Sequence, residues 1–165
     1  MKNIYLCGFM GCGKSTVGRL TAKQMSMKFL DLDEYIEKKH GCTIPEIFEQ
    51  RGEQAFRALE TETLRELAAT SGYIIATGGG TMVSPLNAEI ARQNGSIVFL
   101  DLPFGTCYER IAGDSNRPVV QSNSRAGLLE IFNYRVPLYR AHATYSVDAS
   151  HSPKSISEQI KLLFG

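Results

Sequence analysis

Residues 8–15 read GFMGCGKS, a full match to G-x-x-x-x-G-K-[ST] in which each fixed position has a chemical task. Gly8 and Gly13 let the backbone turn with no Cβ in the way, so that successive N–H groups point inward at anionic oxygens. Lys14 sets a cation where the β- and γ-phosphates of a nucleotide would lie, and the Ser15 hydroxyl is a ligand for magnesium. The flanks suit the motif. Ile4 to Cys7 is an apolar run of strand type, and Val17, Leu20, Thr21 and Met25 follow at roughly helical spacing. A helix opening on such a loop adds the positive end of its dipole. A mere glycine turn with a solvated lysine needs neither flank. In this context the motif binds a nucleoside triphosphate.

Further groups able to do chemistry lie downstream. Asp31 and Asp33 stand in D-L-D after a short apolar run. In open parallel sheets ligands bind beyond the carboxyl ends of the strands, so both acids are expected to face the phosphate site. One would hold magnesium or its waters and the other an acceptor hydroxyl; alternatively one only caps the next helix. Asp101 ends the apolar run IVFLD and competes for the metal. Spacing does not choose between Asp31 and Asp101. Thr77 to Gly80 read TGGG, which permits a tight turn or the close approach of a ligand to bare backbone. Arg57, in FRALE, and Arg135, in RVPLY, would form a bidentate carboxylate clamp if they met; singly each reads as a surface ion-pair residue.

These groups must be positioned by alternating strands and helices. Strands are expected over 3–7, 28–30, 73–76, 96–100 and 145–147. Helices are expected over 14–25, 32–40, 44–50, 53–70, 85–94, 103–112, 125–139 and 153–163. Pro85, Pro103 and Pro153 suit a first helical turn, and Ser84 and Ser152 suit the caps before two of them. Short apolar strands between helices argue for an α/β fold with a parallel sheet covered on both faces. About forty residues separate the second and third strands, more than one crossover helix needs, which predicts a helical insertion over about 32–70. The polar stretch GDSNRPVVQSNS carries Arg117 and reads as a loop and a mobile lid, over about 112–124.

Bulk properties set the bounds. The 165 residues make one domain, with 43% hydrophobic and 21% charged residues. Eighteen basic against 17 acidic residues leave a net charge of +1, so no global field recruits nucleic acid or an anionic membrane. No apolar run approaches the roughly 18 residues of a membrane span, and glycines interrupt the N-terminal run before a signal-peptide core forms. A cytoplasmic protein is expected, monomeric because no exposed apolar stripe stands out. Cys7, Cys12, Cys42 and Cys107 show neither metal-ligand spacing nor a disulfide framework. The three histidines are scattered and read as surface residues.

Taken together and in order, GFMGCGKST, DLD, FRALE, TGGG, NRP and RVPLY resemble the shikimate kinase family, over residue 3 to about residue 160. The resemblance implies a three-layer P-loop kinase fold of the nucleoside-monophosphate-kinase type, a single domain over 1–165. Its five-stranded parallel sheet would have the order 2-3-1-4-5, with helices on both faces, a substrate-binding insertion and a lid. It implies transfer of the γ-phosphoryl group of ATP to the 3-hydroxyl of shikimate, with Mg2+ as cofactor. Gly11, Cys12, Gly13, Lys14, Ser15 and Thr16 then resemble the nucleotide cradle, with Ser15 on magnesium and Asp31 holding the ion through water. Asp33 resembles the acid at the acceptor hydroxyl, a catalytic residue with Lys14 and the lid's Arg117. Arg57, Gly79, Gly80 and Arg135 resemble the shikimate-binding set, with Glu60 orienting Arg57. Arg110 resembles the residue against adenine, and the backbone near Ser152 and Pro153 completes that pocket. Cys12 departs from the family's usual alanine, and Val119 and Val120 from its usual leucines. A kinase of another carboxylated polyol such as gluconate is the alternative, and a catalytically silent nucleotide-binding module a further one; the latter has no use for the full set Lys14, Ser15, Asp31, Asp33 and Arg117.

Overall fold

The computed structural model describes residues 1–112 and 117–165. Five strands, β1 (Asn3–Cys7), β2 (Lys28–Asp31), β3 (Tyr73–Ala76), β4 (Gly95–Asp101) and β5 (Tyr145–Asp148), form one parallel sheet in the order β2-β3-β1-β4-β5. The central strand β1 is buried along its whole length, as its unbroken apolar run requires. Nine helices are described: α1 (Lys14–Met25), α2 (Leu32–His40), α3 (Ile44–Arg51), α4 (Glu53–Ala68), α5 (Pro85–Asn94), α6 (Phe104–Ile111), α7 (Pro118–Gln121), α8 (Arg125–His142) and α9 (Pro153–Leu163).

Strand order and handedness place the layers. The crossover through α1 runs from β1 to the β2 edge, whereas the later crossovers run the other way across the sheet. Right-handed connections therefore put α1 on one face, where α9 joins it, and α4, α5 and α8 on the other. The direction of travel reverses between β1 and β3. A crevice opens there at the carboxyl ends of the strands, the place where such sheets take ligands.

Local chemistry sets the element ends. Ser84 and Ser152 cap α5 and α9 through their hydroxyls, with Pro85 and Pro153 in the first turn. Pro103 differs from expectation. Its backbone is extended (ψ 148°) and its carbonyl accepts from Cys107 N, so it caps α6 instead of beginning it. α4 stops at Ala68, before Thr70, whose hydroxyl bonds back to the Leu67 carbonyl. α8 runs past Tyr139 to His142 and carries Pro137 inside it.

The segment expected to be a loop lid is only partly so. Residues 113–116 lie outside the described residues, but Pro118–Gln121 forms a short helix. Pro118 starts it without an N–H to satisfy, and Val119 and Val120 pack against the core. Under the glycine loop, Phe9 meets Phe132 edge-on at 5.1 Å and Phe104 at 6.2 Å, tying the loop to α8 and α6. No helix among the described residues is long and apolar enough to cross a membrane.

Candidate active site

The loop between β1 and α1 has the shape of an anion cradle. Gly11 and Gly13 adopt φ of 80° and 97°, the left-handed region that costs a side chain dearly. Gly13 caps α1 without any side-chain bond, so the first N–H groups of the helix stay open to the cavity in front of them. That cavity, about 440 Å³, is walled by Gly11 through Thr16, by Asp31 and Asp33, and by Arg110 and Arg117. The Lys14 ammonium donates to the carbonyls of Gly8 (2.8 Å) and Phe9 (3.2 Å), which hold it across the loop. Arg110 Nη1 donates to the Gly11 carbonyl at 2.9 Å. Pro153 lines the far end together with His151, which the sequence offers as a surface residue and no motif marks. Ser152, whose hydroxyl caps α9, adjoins Pro153 without itself lining that wall.

Asp31 does two things at once. Its Oδ1 accepts from Glu34 N as the cap of α2, and its Oδ2 accepts from the Ser15 hydroxyl at 2.6 Å. The capping and metal-side roles left open in the sequence are thus compatible. Asp101 lines neither this cavity nor the next; its carboxylate accepts from Arg140 Nη2 at 3.0 Å.

A second cavity, about 220 Å³, adjoins the first and shares with it Asp31, Asp33, Gly78, Gly79 and Arg117. Asp33 Oδ1 is buried with no hydrogen-bond partner among the described residues. Burial, then Glu60 and Asp31, push the Asp33 carboxyl up to about 7, while Lys14 and Arg117 pull the other way. An acid so placed takes up a proton near neutrality. At the other end of this cavity Arg57 donates to Glu60 Oε1 at 2.7 Å, and Glu60 is wholly buried. Arg135 is only 9% exposed, and no carboxylate among the described residues forms an ion pair with it. A buried guanidinium without a carboxylate partner, opening on a cavity, is a seat for an anion.

The three glycines between β3 and the 3₁₀ turn at Thr81–Val83 form a ledge on which both arginines lie. None of the three has a positive φ, so backbone freedom is not what requires them. Space is. A Cβ on Gly80 would stand 2.5 Å from Arg57 Nη1, one on Gly79 3.3 Å from Arg135 Nη1, and one on Gly78 3.0 Å from Asp33 Oδ1. The structure therefore gathers Lys14, Ser15, Asp31, Asp33, Arg57, Gly79, Gly80, Arg117 and Arg135 along two joined cavities.

Known proteins resemble this chain in sequence and fold. The shikimate kinase family profile matches residues 10–163. This chain belongs to the shikimate kinase family. The Thiobacillus denitrificans shikimate kinase is 43% identical over 165 residues, 99% of this chain and 88% of that protein. The structure of the Acinetobacter baumannii shikimate kinase in complex with shikimate superposes with a TM-score of 0.94 at 40% identity, covering 99% of this chain and 93% of that one. A Sinorhizobium meliloti gluconokinase, at 16% identity and a TM-score of 0.60 over 99% of this chain and 96% of its own, shares the fold alone.

Proposed function

We propose that this protein transfers the γ-phosphoryl group of ATP to the 3-hydroxyl of shikimate, giving shikimate 3-phosphate and ADP. The observation that carries the proposal is the meeting of the two cavities at Asp33. A phosphate cradle with Lys14 lies on one side of it, and Arg135, a buried cation with no carboxylate partner among the described residues, on the other. The triphosphate lies along the N–H groups of residues 11–16, with adenine between Arg110 and Pro153. The acceptor's carboxylate sits between Arg57 and Arg135, which turns its 3-hydroxyl towards Asp33. The hydroxyl oxygen attacks the γ-phosphorus, the bond to the β–γ bridging oxygen breaks, and Asp33 takes the hydroxyl proton. Lys14 and Arg117 stand against the negative charge of the transferring group.

The residues also fit a magnesium ion. The Ser15 hydroxyl and Asp31 carboxylate, 2.6 Å apart beside the cradle, are the hard oxygen donors that ion prefers. Among the described residues no cluster of three or more His, Cys, Asp or Glu forms an all-protein cage, which suits an ion completed by water and phosphate. When bound, magnesium neutralises phosphate charge. Ser15 would ligate it directly and Asp31 through water.

We assign α2–α4, within about 32–70, as the insertion that walls the acceptor, and the segment around Arg117 as the lid. We further propose that the protein acts as a monomer, as the residues named above suffice to build both joined cavities. The test is ADP release in a coupled assay with shikimate, with gluconate and with no acceptor. Release only with shikimate is expected. Release with gluconate, or none with either, would overturn the assignment.

A further inference from the structure

We infer that Tyr139 and Thr81 are positioning residues for acceptor carboxylate recognition, each tying one arginine of the clamp to the glycine ledge. The inference rests on the function proposed above, and neither residue is one of the groups assigned there.

On one side, the Tyr139 ring is fully buried on α8 and packs against Phe99 with centroids 5.5 Å apart. Its hydroxyl donates to the Gly79 carbonyl. Arg135 lies one helical turn earlier, on the same face of α8. Its guanidinium is packed on Gly79, in the space a Cβ would fill. The phenol therefore fixes the part of the ledge on which the cation rests.

On the other side, the Thr81 hydroxyl donates to Glu60 Oε2 at 2.5 Å, and Glu60 Oε1 accepts from Arg57 Nη1 at 2.7 Å. Thr81 and Glu60 are both wholly buried. The Thr81 carbonyl accepts from Asn87 Nδ2 at 2.9 Å, and Asn87 Oδ1 accepts from the Thr61 hydroxyl at 2.7 Å. Thr81 is thus the joint between the end of the ledge and the carboxylate that aims Arg57. The Arg57 guanidinium in turn lies over Gly80.

The physical consequence is preorganisation. Two planar forks grip one carboxylate only if both are already in place. A fork free to rotate must be ordered at each binding event, at a cost to affinity. Removal of either hydroxyl should therefore weaken recognition of the charged group, while the phosphate cradle, held by other contacts, keeps its affinity.

The experiment compares the wild type with Tyr139→Phe, Thr81→Val and Thr81→Ser, measuring KM for shikimate and for ATP, kcat, and calorimetric binding of shikimate and of its carboxamide. Tyr139→Phe and Thr81→Val should each raise the KM for shikimate about three- to tenfold, the range of one lost hydrogen bond. The KM for ATP should hold and kcat should fall less than KM rises. Carboxamide binding, with no charge for the arginines to read, should not change between wild type and variants. Thr81→Ser keeps the donor and should recover the wild-type KM. Equal losses for shikimate and carboxamide, an equal rise in the KM for ATP, or an unchanged shikimate KM in the folded variants would each overturn the inference. Should one variant not fold, the other arm decides. A wild type that turns over shikimate while its variants show no selective loss overturns this inference alone; a wild type that does not turn it over overturns the proposed function as well.

Discussion

The Lys14 ammonium is fixed across the loop by its bonds to the Gly8 and Phe9 carbonyls. A fixed cation needs no reorganisation as charge moves onto the transferring phosphoryl group. Lys14→Ala should therefore lower kcat about a hundred- to thousandfold in the coupled assay, with the circular dichroism of a folded protein. The same logic separates the two candidate metal acids. Asp31→Asn should raise the magnesium concentration needed for half-maximal rate, whereas Asp101→Asn, which only releases Arg140, should leave it in place. At the clamp, Arg57→Lys or Arg135→Lys keeps the charge and loses the fork, so each should raise the shikimate KM severalfold. The alanine variants should do worse. Their combined effect should fall short of the product of the single effects, because both residues grip one group.

The glycines of the two loops are needed for different reasons, and those reasons predict different outcomes. Gly8 has φ of 152°, and a Cβ there would stand 2.9 Å from the backbone carbonyl of Leu100 in β4. Backbone does not yield, so Gly8→Ala should cost about 1–3 kcal/mol. In a domain of this size each kcal/mol is worth roughly 2–4 °C in Tm, and differential scanning fluorimetry would show the fall. Gly80 has ordinary backbone angles, and its Cβ would meet only the tip of Arg57. Gly80→Ala should raise the shikimate KM, since the guanidinium must swing away from its seat, and any fall in Tm should come from the weakened pairing with buried Glu60 and not from backbone strain. The element placed these glycines, but the partner across each gap determines what the substitution breaks.

Across the whole molecule, the raised Asp33 carboxyl links the site to stability. In the unfolded chain this acid loses its proton near its ordinary value of 3.8, and in the folded protein only near 7. Between those values folding takes up a proton, so this group's contribution to stability is complete at low pH and is lost as pH rises through about 7. Above that pH the fold must hold a charged Asp33 beside Glu60 and Asp31. Asn at this position cannot ionise, so the Tm of Asp33→Asn minus that of the wild type should grow between pH 5 and pH 8. A difference that stays flat would remove the cause assigned here. Wild-type kcat/KM for shikimate should rise over the same window, as the base loses its proton.

Local signals in the sequence determined much of this protein. The apolar runs of β1 and β4, the caps at Ser84 and Ser152, and the glycine pattern around Lys14 each report a local free energy. Burial of a short run, satisfaction of a helix end and a positive φ are all decided within a few residues. The family resemblance supplied the strand order, which those signals do not contain. Only the tertiary structure showed that Asp31 and Asp101, which end similar strands, turn to different partners, Ser15 and Arg140. It also brought Arg57 and Arg135 together on adjacent glycines, put His151 in the nucleotide cavity, and made Tyr139 and Thr81 the anchors of the ledge. The reason is that these groups are far apart along the chain. No periodicity records which of them meet, and their proximity follows from how α4, α5 and α8 pack against the sheet.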